Sequence, residues 1–347
     1  MFFKVKYVSI SLVAVIALAG CTSITSTTST TSIPSIPVIP VPIEKNLLSG
    51  RDGANGPVLV VKIGDTNAAH PQIGLEDADV VYIEQVEGGL TRLAAIFSSV
   101  IPMRIGPVRS ARISDIEIMA QYGRVAFAYS GAQRRLLPVI AAANLQNLGA
   151  QSQSSTIYTI DVTRRRPHAM VLRADLLMQK VIDSGYKIDL AKSVGWNFGD
   201  TQLIGVEISR ATLHWPAATY GVVWAGLEKR WHLEHNNAPN LSDLGRVLGP
   251  TTFVIQIVSI TPSEYGDKFG GVTPFSNTIG EGAGYILRDG KSFTARWSRL
   301  SPEFGTTWTS LDGSEIAFAP GQVWVALTGS EPDFTLIPKK AEPLPTK

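Results

Sequence analysis

Apolar runs alternate with helix-like windows in the first half of the chain. Four runs rich in Val, Ile, Phe and Tyr have the length and the Gly or Asp boundaries of buried strands, at 58–63, 80–86, 93–99 and 125–130. Three windows have helical spacing, at 114–122, 132–143 and 173–184. Ser114 and Glu117 have the spacing of a helix-capping box, and Gly123 follows as a stop signal. This mixture predicts an α/β or α+β N-terminal domain.

The pattern becomes almost purely strand-like after about residue 192. Strand-like stretches follow one another at 206–215, 220–234, 251–260, 284–299 and 314–327. Asp289-Gly290 and Asp312-Gly313 lie between such runs, as hairpin turns do. One short helix is predicted at 241–248, and the glycine-rich stretch 280–284 is predicted to be a bend. The second half therefore predicts a mainly antiparallel β C-terminal domain.

The N-terminus has the pattern of an export signal. Residues 8–20 are apolar or small and carry no charge, but this run is too short to span the roughly 30 Å hydrocarbon layer of a membrane. It ends in Leu-Ala-Gly before Cys21, which resembles a bacterial lipobox and implies lipidation of Cys21 and cleavage in front of it. Cys21 is the only cysteine, so it has no disulfide partner within the chain. An ordinary secretory signal and a lone membrane anchor are the alternatives.

Composition divides the chain into five segments. Residues 22–45 are rich first in Ser and Thr and then in Pro, which is typical of a moderately stiff tether. We predict no transmembrane helix after the signal, and we expect the protein on the outer face of the bacterial cytoplasmic membrane. The predicted segments are a lipoprotein signal peptide (1–20), a tether (21–45), the α/β N-terminal domain with an arginine-rich cleft (46–192), the β-rich C-terminal domain (193–331) and a flexible tail (332–347).

The charge balance argues against nucleic acid as a partner. The formal net charge is +2, and Lys4 and Lys6 in the signal account for that excess. A chain without excess positive charge lacks the general electrostatic attraction that phosphate backbones and anionic membranes need. The membrane is therefore expected to be reached through the N-terminal lipid. Any protein partner stays unidentified at this stage.

Arginine replaces lysine over a long part of the first half. Between residues 63 and 179 there is no lysine but there are eleven arginines, and the planar guanidinium is the group that holds carboxylate or phosphate through two parallel hydrogen bonds. The clusters 104–112 and 164–168 predict an anion-binding cleft. Its candidate residues are Arg92, Arg104, Arg109, Arg112 and Arg166, with His168 beside them. The alternative is that these arginines form internal ion pairs with the ten acids of the same stretch.

Two acids follow a predicted strand near these arginines. Glu84 and Glu87 precede Gly88 and Gly89, and a pair of carboxylates at one site can act as general acid and base. Residues three apart on a strand face opposite sides, so the two carboxylates converge only where the chain bends. The catalytic candidates are therefore Glu84, Glu87 and His168. The alternative is that the two acids neutralise Arg109 and Arg112.

The histidines do not form a metal-binding motif. His232 and His235 are three positions apart, whereas the zinc-peptidase motif HExxH needs histidines four apart. We therefore expect no metal site and interpret these histidines, with His70 and His214, as surface or core residues. Signature motifs for nucleotide binding and for a serine nucleophile are also missing from the sequence, so no cofactor is expected.

Several blocks together resemble one family. The blocks are HPQIGLEDADVVYIEQVEGGLTRLAAIF (70–97), IGPVRSAR (105–112), RRRPHAM (164–170), GEGAGYILRDGKSFTARWSR (280–299) and APGQVWVAL (319–327). With the lipobox, they resemble the YerB-like family of bacterial lipoproteins over most of residues 57–327. The resemblance implies an exported lipoprotein with two adjoining domains of unknown function. It marks as characteristic polar residues Glu84, Glu87, Arg92, Arg109, Arg112 and His168.

The sequence leaves three functions open. The first is a lipid-anchored envelope protein that binds a carboxylated or phosphorylated ligand, such as a cell-wall glycan fragment, through the arginine cluster. The second is a hydrolase of envelope glycans or phosphodiesters that uses Glu84 and Glu87. The third is a lipoprotein whose β-rich half presents tryptophans, among them Trp224, Trp231 and Trp297, to a protein partner.

Overall fold

A computed structural model describes residues 43–267 and 270–337. The first half contains eight strands and three α-helices. The strands are β1 (Leu59–Gly64), β2 (Val80–Gln85), β3 (Thr91–Phe97), β4 (Arg104–Ile105), β5 (Val125–Ala128), β6 (Leu145–Asn147), β7 (Tyr158–Ile160) and β8 (Met170–Arg173). The helices are α1 (Ile113–Ala120), α2 (Leu137–Ala142) and α3 (Ala174–Asp183). Cys21, the signal and nearly all of the predicted tether lie outside the described residues.

In the residues that the structure describes, the second half consists of strands, turns and loops. The strands are β9 (Val206–Trp215), β10 (Ala218–Ala225), β11 (Arg230–His235), β12 (Ala238–Pro239), β13 (Thr252–Ile257), β14 (Ile260–Gly266), β15 (Val272–Ser276), β16 (Gly280–Arg288), β17 (Lys291–Arg299), β18 (Thr307–Thr309), β19 (Val323–Thr328) and β20 (Asp333–Leu336). The predicted fold class is confirmed, because the first half is mixed α/β and the second half is mostly antiparallel strands.

One sheet runs through both halves. Its main path is β12-β11-β10-β9-β17-β16-β13-β19-β2-β3-β1-β5-β6. Strand β19 from the second half lies between β13 and β2 and is parallel to both, with Val325 opposite Tyr82 of the first half. Residues of the two halves therefore meet along continuous backbone hydrogen bonds, and side chains far apart in sequence come together at the strand ends.

The centre of this sheet is buried on both faces. Along β1, Leu59, Val61 and Ile63 pack into one hydrophobic cluster. Val60, between them, packs into a second cluster on the other face. Strands buried on both sides need apolar residues at every position, which explains why the strand signals in the first half are continuous apolar runs.

The hairpin turn at Asp289-Gly290 forms as predicted. Asp289 has φ 51° and Gly290 has φ 72°, the left-handed conformations that a two-residue turn with a right-handed twist requires. The predicted helix at 241–248 is wrong: Leu241 forms an antiparallel bridge with Val247, and a tight turn lies between them. Backbone pairing across this turn replaces helical hydrogen bonds in so short a segment.

The start of α1 also differs from the prediction. The helix begins directly after Arg112, whose backbone N–H donates to the Asp115 carboxylate at 2.6 Å. Ser114 Oγ instead accepts a hydrogen bond from the Ser276 N–H, and the Glu117 carboxylate accepts one from the Thr278 hydroxyl at 2.7 Å. Both side chains therefore fix the β15 end against α1 instead of capping the helix.

Two further segments are strands where the sequence predicted irregular structure. The glycine-rich stretch 280–284 is the first half of β16, where the absence of side chains at Gly282 and Gly284 leaves room for the rings of Trp297 and Trp308. Residues 333–336 of the predicted tail form β20, which pairs with β9. Phe334 of β20 packs edge-on against Tyr285 with ring centroids 5.1 Å apart, and this apolar contact holds the segment on the sheet.

The predicted tryptophan-rich surface has little support in the structure. Trp231 and Trp297 are buried, and Trp224 is half-buried with its ring centroid 5.0 Å from that of Trp231. These side chains therefore pack in the core of the β-rich half. None of the helices in the described part of the chain has the length and hydropathy to cross a membrane.

Candidate functional site

Backbone hydrogen bonds fix the arginine-rich segment 104–112 against the central strands. The Arg109 N–H donates to the Lys62 carbonyl at 2.8 Å, and the Arg109 carbonyl accepts from the Ser130 N–H at 2.9 Å. Gly64 provides space for the side chain, because a Cβ at that position would lie 2.9 Å from Cγ of Arg109. Arg109 is therefore held in position at the end of β1 by the backbone on both sides.

Arg109 reaches the second arginine-rich stretch. Its Nη1 donates to the Pro167 carbonyl at 3.1 Å. Arg92, at the start of β3, donates from its own Nη1 to the Ser110 carbonyl at 2.9 Å. Each of these bonds uses one of the five donors of a guanidinium, so both groups keep N–H donors for further partners.

A cavity of about 150 Å³ lies beside these two guanidinium groups. Its polar lining consists of Arg92, Arg109, Thr66, Thr91, Asp65, Glu87 and Asp267. The three acids already accept hydrogen bonds elsewhere: Asp65 from Thr91 and Tyr220, Glu87 from Arg112 and Thr273, and Asp267 from the Gly271 N–H. We call this space the arginine cavity.

Three arginines, Arg92, Arg109 and Arg112, lie close enough to one another to interact beside the acids of the arginine cavity. Burial, with Arg112 and Arg109 close by, lowers the pKa of Arg92 to about 9. Burial and the charge of Arg112 also lower the pKa of Arg109. His168 is affected similarly: its pKa is lowered by burial and by the positive charges of Arg109, Arg164 and Arg92. An anion entering here would relieve this repulsion between like charges.

Arg112 differs from its neighbours because its guanidinium group already forms an ion pair with an acid. Its Nε and Nη2 donate to Glu87 Oε2 at 2.9 and 2.7 Å, a fork that uses two of its five donors. Glu87 also accepts a hydrogen bond from the Thr273 hydroxyl of β15. These contacts lower the pKa of Glu87 even though burial acts in the opposite direction. The bond from Thr273 to Glu87 joins the two halves of the chain, and a further bond from Arg112 Nη1 to the Ala111 carbonyl brings the occupied donors of Arg112 to three of five.

Glu84 lies in a separate, fully buried ion cluster. Its carboxylate pairs with Lys62 of β1, whose Nζ also lies 2.7 Å from the Asp115 carboxylate of α1. Burial and the neighbouring Asp115 charge raise the pKa of Glu84 to about 7. The side chains of Glu84 and Lys62 have no exposed surface. Glu84 and Glu87 therefore face different surroundings, and the predicted acid and base pair has no geometric support.

A larger cavity adjoins the second arginine-rich stretch. It has a volume of about 590 Å³ and is lined by residues that include Arg104, Arg164, Arg165 and His168. Arg164 donates hydrogen bonds to the Ala69 and Pro71 carbonyls and forms an ion pair with Asp161. Arg166, which the sequence predicted to lie in the cleft, is exposed instead, because the chain turns outward at residues 165–167.

The structure thus divides the predicted site residues. Arg92, Arg109, Arg112 and Glu87 come together around the arginine cavity, and His168 stands close enough for its pKa to respond to Arg109 and Arg92. The residues that stand apart are Arg104 in the neighbouring cavity, Arg166 on the surface and Glu84 in its buried cluster.

Sequence reasoning overlooked one polar cluster beside the arginine cavity. Asp65 follows β1, and its carboxylate lies 3.4 Å from Nε2 of His70 and 3.8 Å from Nε2 of His235. The two imidazole rings are stacked with centroids 4.5 Å apart. These residues come from opposite halves of the chain, so no local spacing could reveal the cluster. The presence of His235 at a strand end beside a polar turn was the only signal.

Comparison with known proteins identifies relatives. The family model "Protein of unknown function (DUF3048) N-terminal domain" matches residues 47–187, and the corresponding C-terminal domain model matches residues 211–325. "Putative lipoprotein YerB" of Bacillus subtilis (strain 168) is 23% identical over 273 residues, covering 78% of this chain and 80% of that protein. The crystal structure of YerB protein from Bacillus subtilis has a TM-score of 0.70 at 18% identity, covering 83% of this chain and 97% of that one. This likeness shows a shared fold.

Proposed function

This chain belongs to the DUF3048 family, and we propose that it is a lipid-anchored protein of the bacterial cell envelope that binds an anionic ligand in the arginine cavity. The anchor is a lipid on Cys21, which holds the protein on the outer face of the cytoplasmic membrane. The signal-like run 8–20 and the lipobox-like residues before Cys21 support this location. The name of the relative from Bacillus subtilis, a lipoprotein, supports the lipid anchor.

The ligand in this proposal carries a carboxylate or a phosphate. Both groups accept two parallel hydrogen bonds from a guanidinium, and both occur in cell-wall glycans and in teichoic-type polymers. A tether behind the lipid keeps the folded part close to the membrane surface, where such polymers are accessible. The volume of about 150 Å³ suits one anionic group and not a whole sugar chain, so the polymer would continue outside the cavity.

One observation carries the proposal. Arg92 and Arg109 line the same cavity and each uses one donor on a backbone carbonyl, while Glu87 of the same lining already pairs with Arg112. Guanidinium groups that are partly buried near one another repel, and a native chain tolerates this arrangement where an anion balances it. The acids of the lining accept hydrogen bonds from Thr91, Arg112 and the Gly271 N–H, so guanidinium donors of Arg92 and Arg109 stay available for a ligand.

Isothermal titration calorimetry with three probes tests the proposal. The probes are inorganic phosphate, a soluble muropeptide and a short polyol-phosphate fragment. Arg109→Lys keeps the charge but removes the planar fork, so we expect affinity for the preferred probe to fall about tenfold. The matched control is Arg134→Lys, because Arg134 is exposed and remote from the cavity lining. Equal affinity of the folded Arg109→Lys variant and the wild type would overturn the proposal.

A further inference from the structure

We propose that Asp65, His70 and His235 bind a divalent transition-metal ion. The three side chains each offer one ligand atom, and these atoms all lie within 4.8 Å of one another. Two imidazole nitrogens and one carboxylate oxygen form the donor set that zinc and its first-row neighbours favour. The inference does not depend on the proposed anion-binding function, although Asp65 also lines the arginine cavity.

The separations suit a metal ion better than direct hydrogen bonds. Asp65 Oδ1 is 3.4 Å from His70 Nε2, and Asp65 Oδ2 is 3.8 Å from His235 Nε2. A charged N–H to carboxylate hydrogen bond is usually shorter, at about 2.8 Å. Ligand atoms that share a tetrahedral zinc ion at its usual bond lengths stand roughly 3.4 Å apart. Small side-chain rotations therefore suffice to bring the three atoms around one ion.

Unsatisfied buried atoms provide an independent indication. His235 is buried, and its Nε2, which faces Asp65, has no hydrogen-bond partner among the described residues. Gln72 Oε1 and Asn240 Nδ2, on side chains that contact the cluster, are also buried without partners. An unmet buried polar atom costs free energy, and a bound cation would supply the missing partner for His235. The Gln72 amide would also gain a role, because its oxygen can turn toward the ion.

The surroundings orient the ligand atoms. His70 Nδ1 lies 3.0 Å from Asn240 Oδ1. Because that oxygen can only accept, Nδ1 carries the proton, and the lone pair of Nε2 faces the cluster, where Gln72 Nε2 donates to it at 3.3 Å. Asp65 accepts from the Thr91 hydroxyl at 2.6 Å and from the Tyr220 hydroxyl at 2.8 Å. Hydrogen bonds of this kind from the second shell of a site hold ligands in place before the ion arrives.

The site has access to solvent. Asp65 and His235 also line a cavity of about 310 Å³ on the side of Thr66, Asn67 and Asn236. Three protein ligands leave at least one coordination position free, as catalytic and ligand-binding zinc sites do. That position would face this cavity and take water or an oxygen atom of a small ligand.

Equilibrium dialysis with Zn²⁺ tests this inference. The mature chain carries Cys21→Ser in every sample, so that its thiol binds no metal, and it is treated with chelator before dialysis. Elemental analysis should find about one zinc per chain in this protein. His70→Gln and His235→Gln should lose this zinc. His232→Gln is the matched control, because His232 lies on the same strand as His235 but pairs with Glu228 at 2.9 Å. That variant should keep the zinc.

A second variant and a second readout keep the result interpretable. Asn240→Ala leaves all three ligands in place and should weaken zinc affinity about 10-fold to 100-fold. Replacement of zinc by Co²⁺ should give visible absorption bands that disappear in His235→Gln. If His235→Gln does not fold, the zinc content of His70→Gln provides the test, because His70 is partly exposed and its replacement disturbs the core less. The inference would be overturned if the Cys21→Ser protein bound no stoichiometric zinc, or if His70→Gln and His232→Gln bound equal amounts of zinc. The anion-binding proposal would stand unaffected by either result.

Discussion

The Arg109 guanidinium donates a hydrogen bond to the Pro167 carbonyl at 3.1 Å across 58 positions of sequence. This contact joins the two arginine-rich stretches that sequence analysis selected separately. It also brings the positive charge of Arg109 close to His168, whose pKa is lowered by burial and by that charge. Arg109 thus lines the arginine cavity and also contacts the stretch that carries His168.

The proposed anchor predicts the fate of a Cys21 variant. Cys21→Ala should abolish incorporation of labelled palmitate and release the protein from the membrane fraction, because no helix in the described residues has the length and hydropathy to cross a membrane. Ser23→Ala, two positions later, should behave like the wild type. Retention of label and membrane association by Cys21→Ala would contradict lipidation at this residue.

Loss of Arg112 should destabilise the fold. Arg112→Met leaves the buried Glu87 carboxylate without its cationic partner, and we expect the free energy of unfolding to fall by about 3 kcal/mol. Arg135→Met removes an exposed pair with Glu264 and should cost less than about 1 kcal/mol. Urea denaturation measures both. Equal losses for the two variants would show that the buried Arg112–Glu87 pair contributes no more to stability than an exposed pair.

Stability should decrease between pH 4.5 and 7 because of Glu84. Burial and the charge of Asp115 raise its pKa from 4.5 to about 7, so in this interval the folded state binds more protons than the unfolded state. This extra proton binding adds at most about 3 kcal/mol to the free energy of unfolding. The added stability is fully present below pH 4.5 and is lost as pH rises through 7.

Comparison with Glu84→Gln isolates this contribution. The unfolding free energy of the wild type minus that of the variant should decrease from pH 4.5 to 7.5, because Gln cannot ionise and the other titrating groups are common to both proteins. Chemical denaturation at several pH values measures this difference. A difference that is constant or increases over the interval would contradict the account of the buried cluster.

The glycines at the start of β16 should be intolerant of side chains. A Cβ at Gly284 would lie 2.4 Å from the Ile255 carbonyl oxygen and 2.9 Å from the Trp308 ring. Gly284→Ala should therefore lower the unfolding free energy by about 2 kcal/mol. Ala283→Ser, at the exposed neighbouring position, should change it by less than about 0.5 kcal/mol. Thermal or urea unfolding distinguishes these outcomes, and a neutral Gly284→Ala would contradict the close packing described for β16.

Local patterns predicted much of the fold. Strand β9 has the predicted bounds, and in its second half the buried residues Ala211, Leu213 and Trp215 alternate with more exposed ones. The Asp289-Gly290 turn was also predictable, since its two residue types favour positive φ. The position of β19 between β13 and β2 was not predictable, because parallel pairing over such distances has no local signal.

The candidate site was predictable only in part. The exclusion of lysine from residues 63–179 indicated an arginine site, and Arg92 and Arg109 do share a cavity. The sequence could not show that Arg112 forms its ion pair with Glu87, because tertiary packing decides which acid pairs with which arginine. Lys62, within an otherwise apolar run, was a signal that could have revealed the buried cluster. A buried cation needs a buried acid as its partner, and that acid is Glu84.

A crystal structure of the protein soaked with selenate would test the anion-binding account most directly. Selenate resembles phosphate in shape, and the anomalous scattering of selenium locates it. The account predicts a selenate in the arginine cavity with oxygens within hydrogen-bond distance of both Arg92 and Arg109, and its loss in Arg109→Lys. An arginine cavity without selenate, in crystals where selenate binds only at exposed residues such as Arg166, would contradict the account.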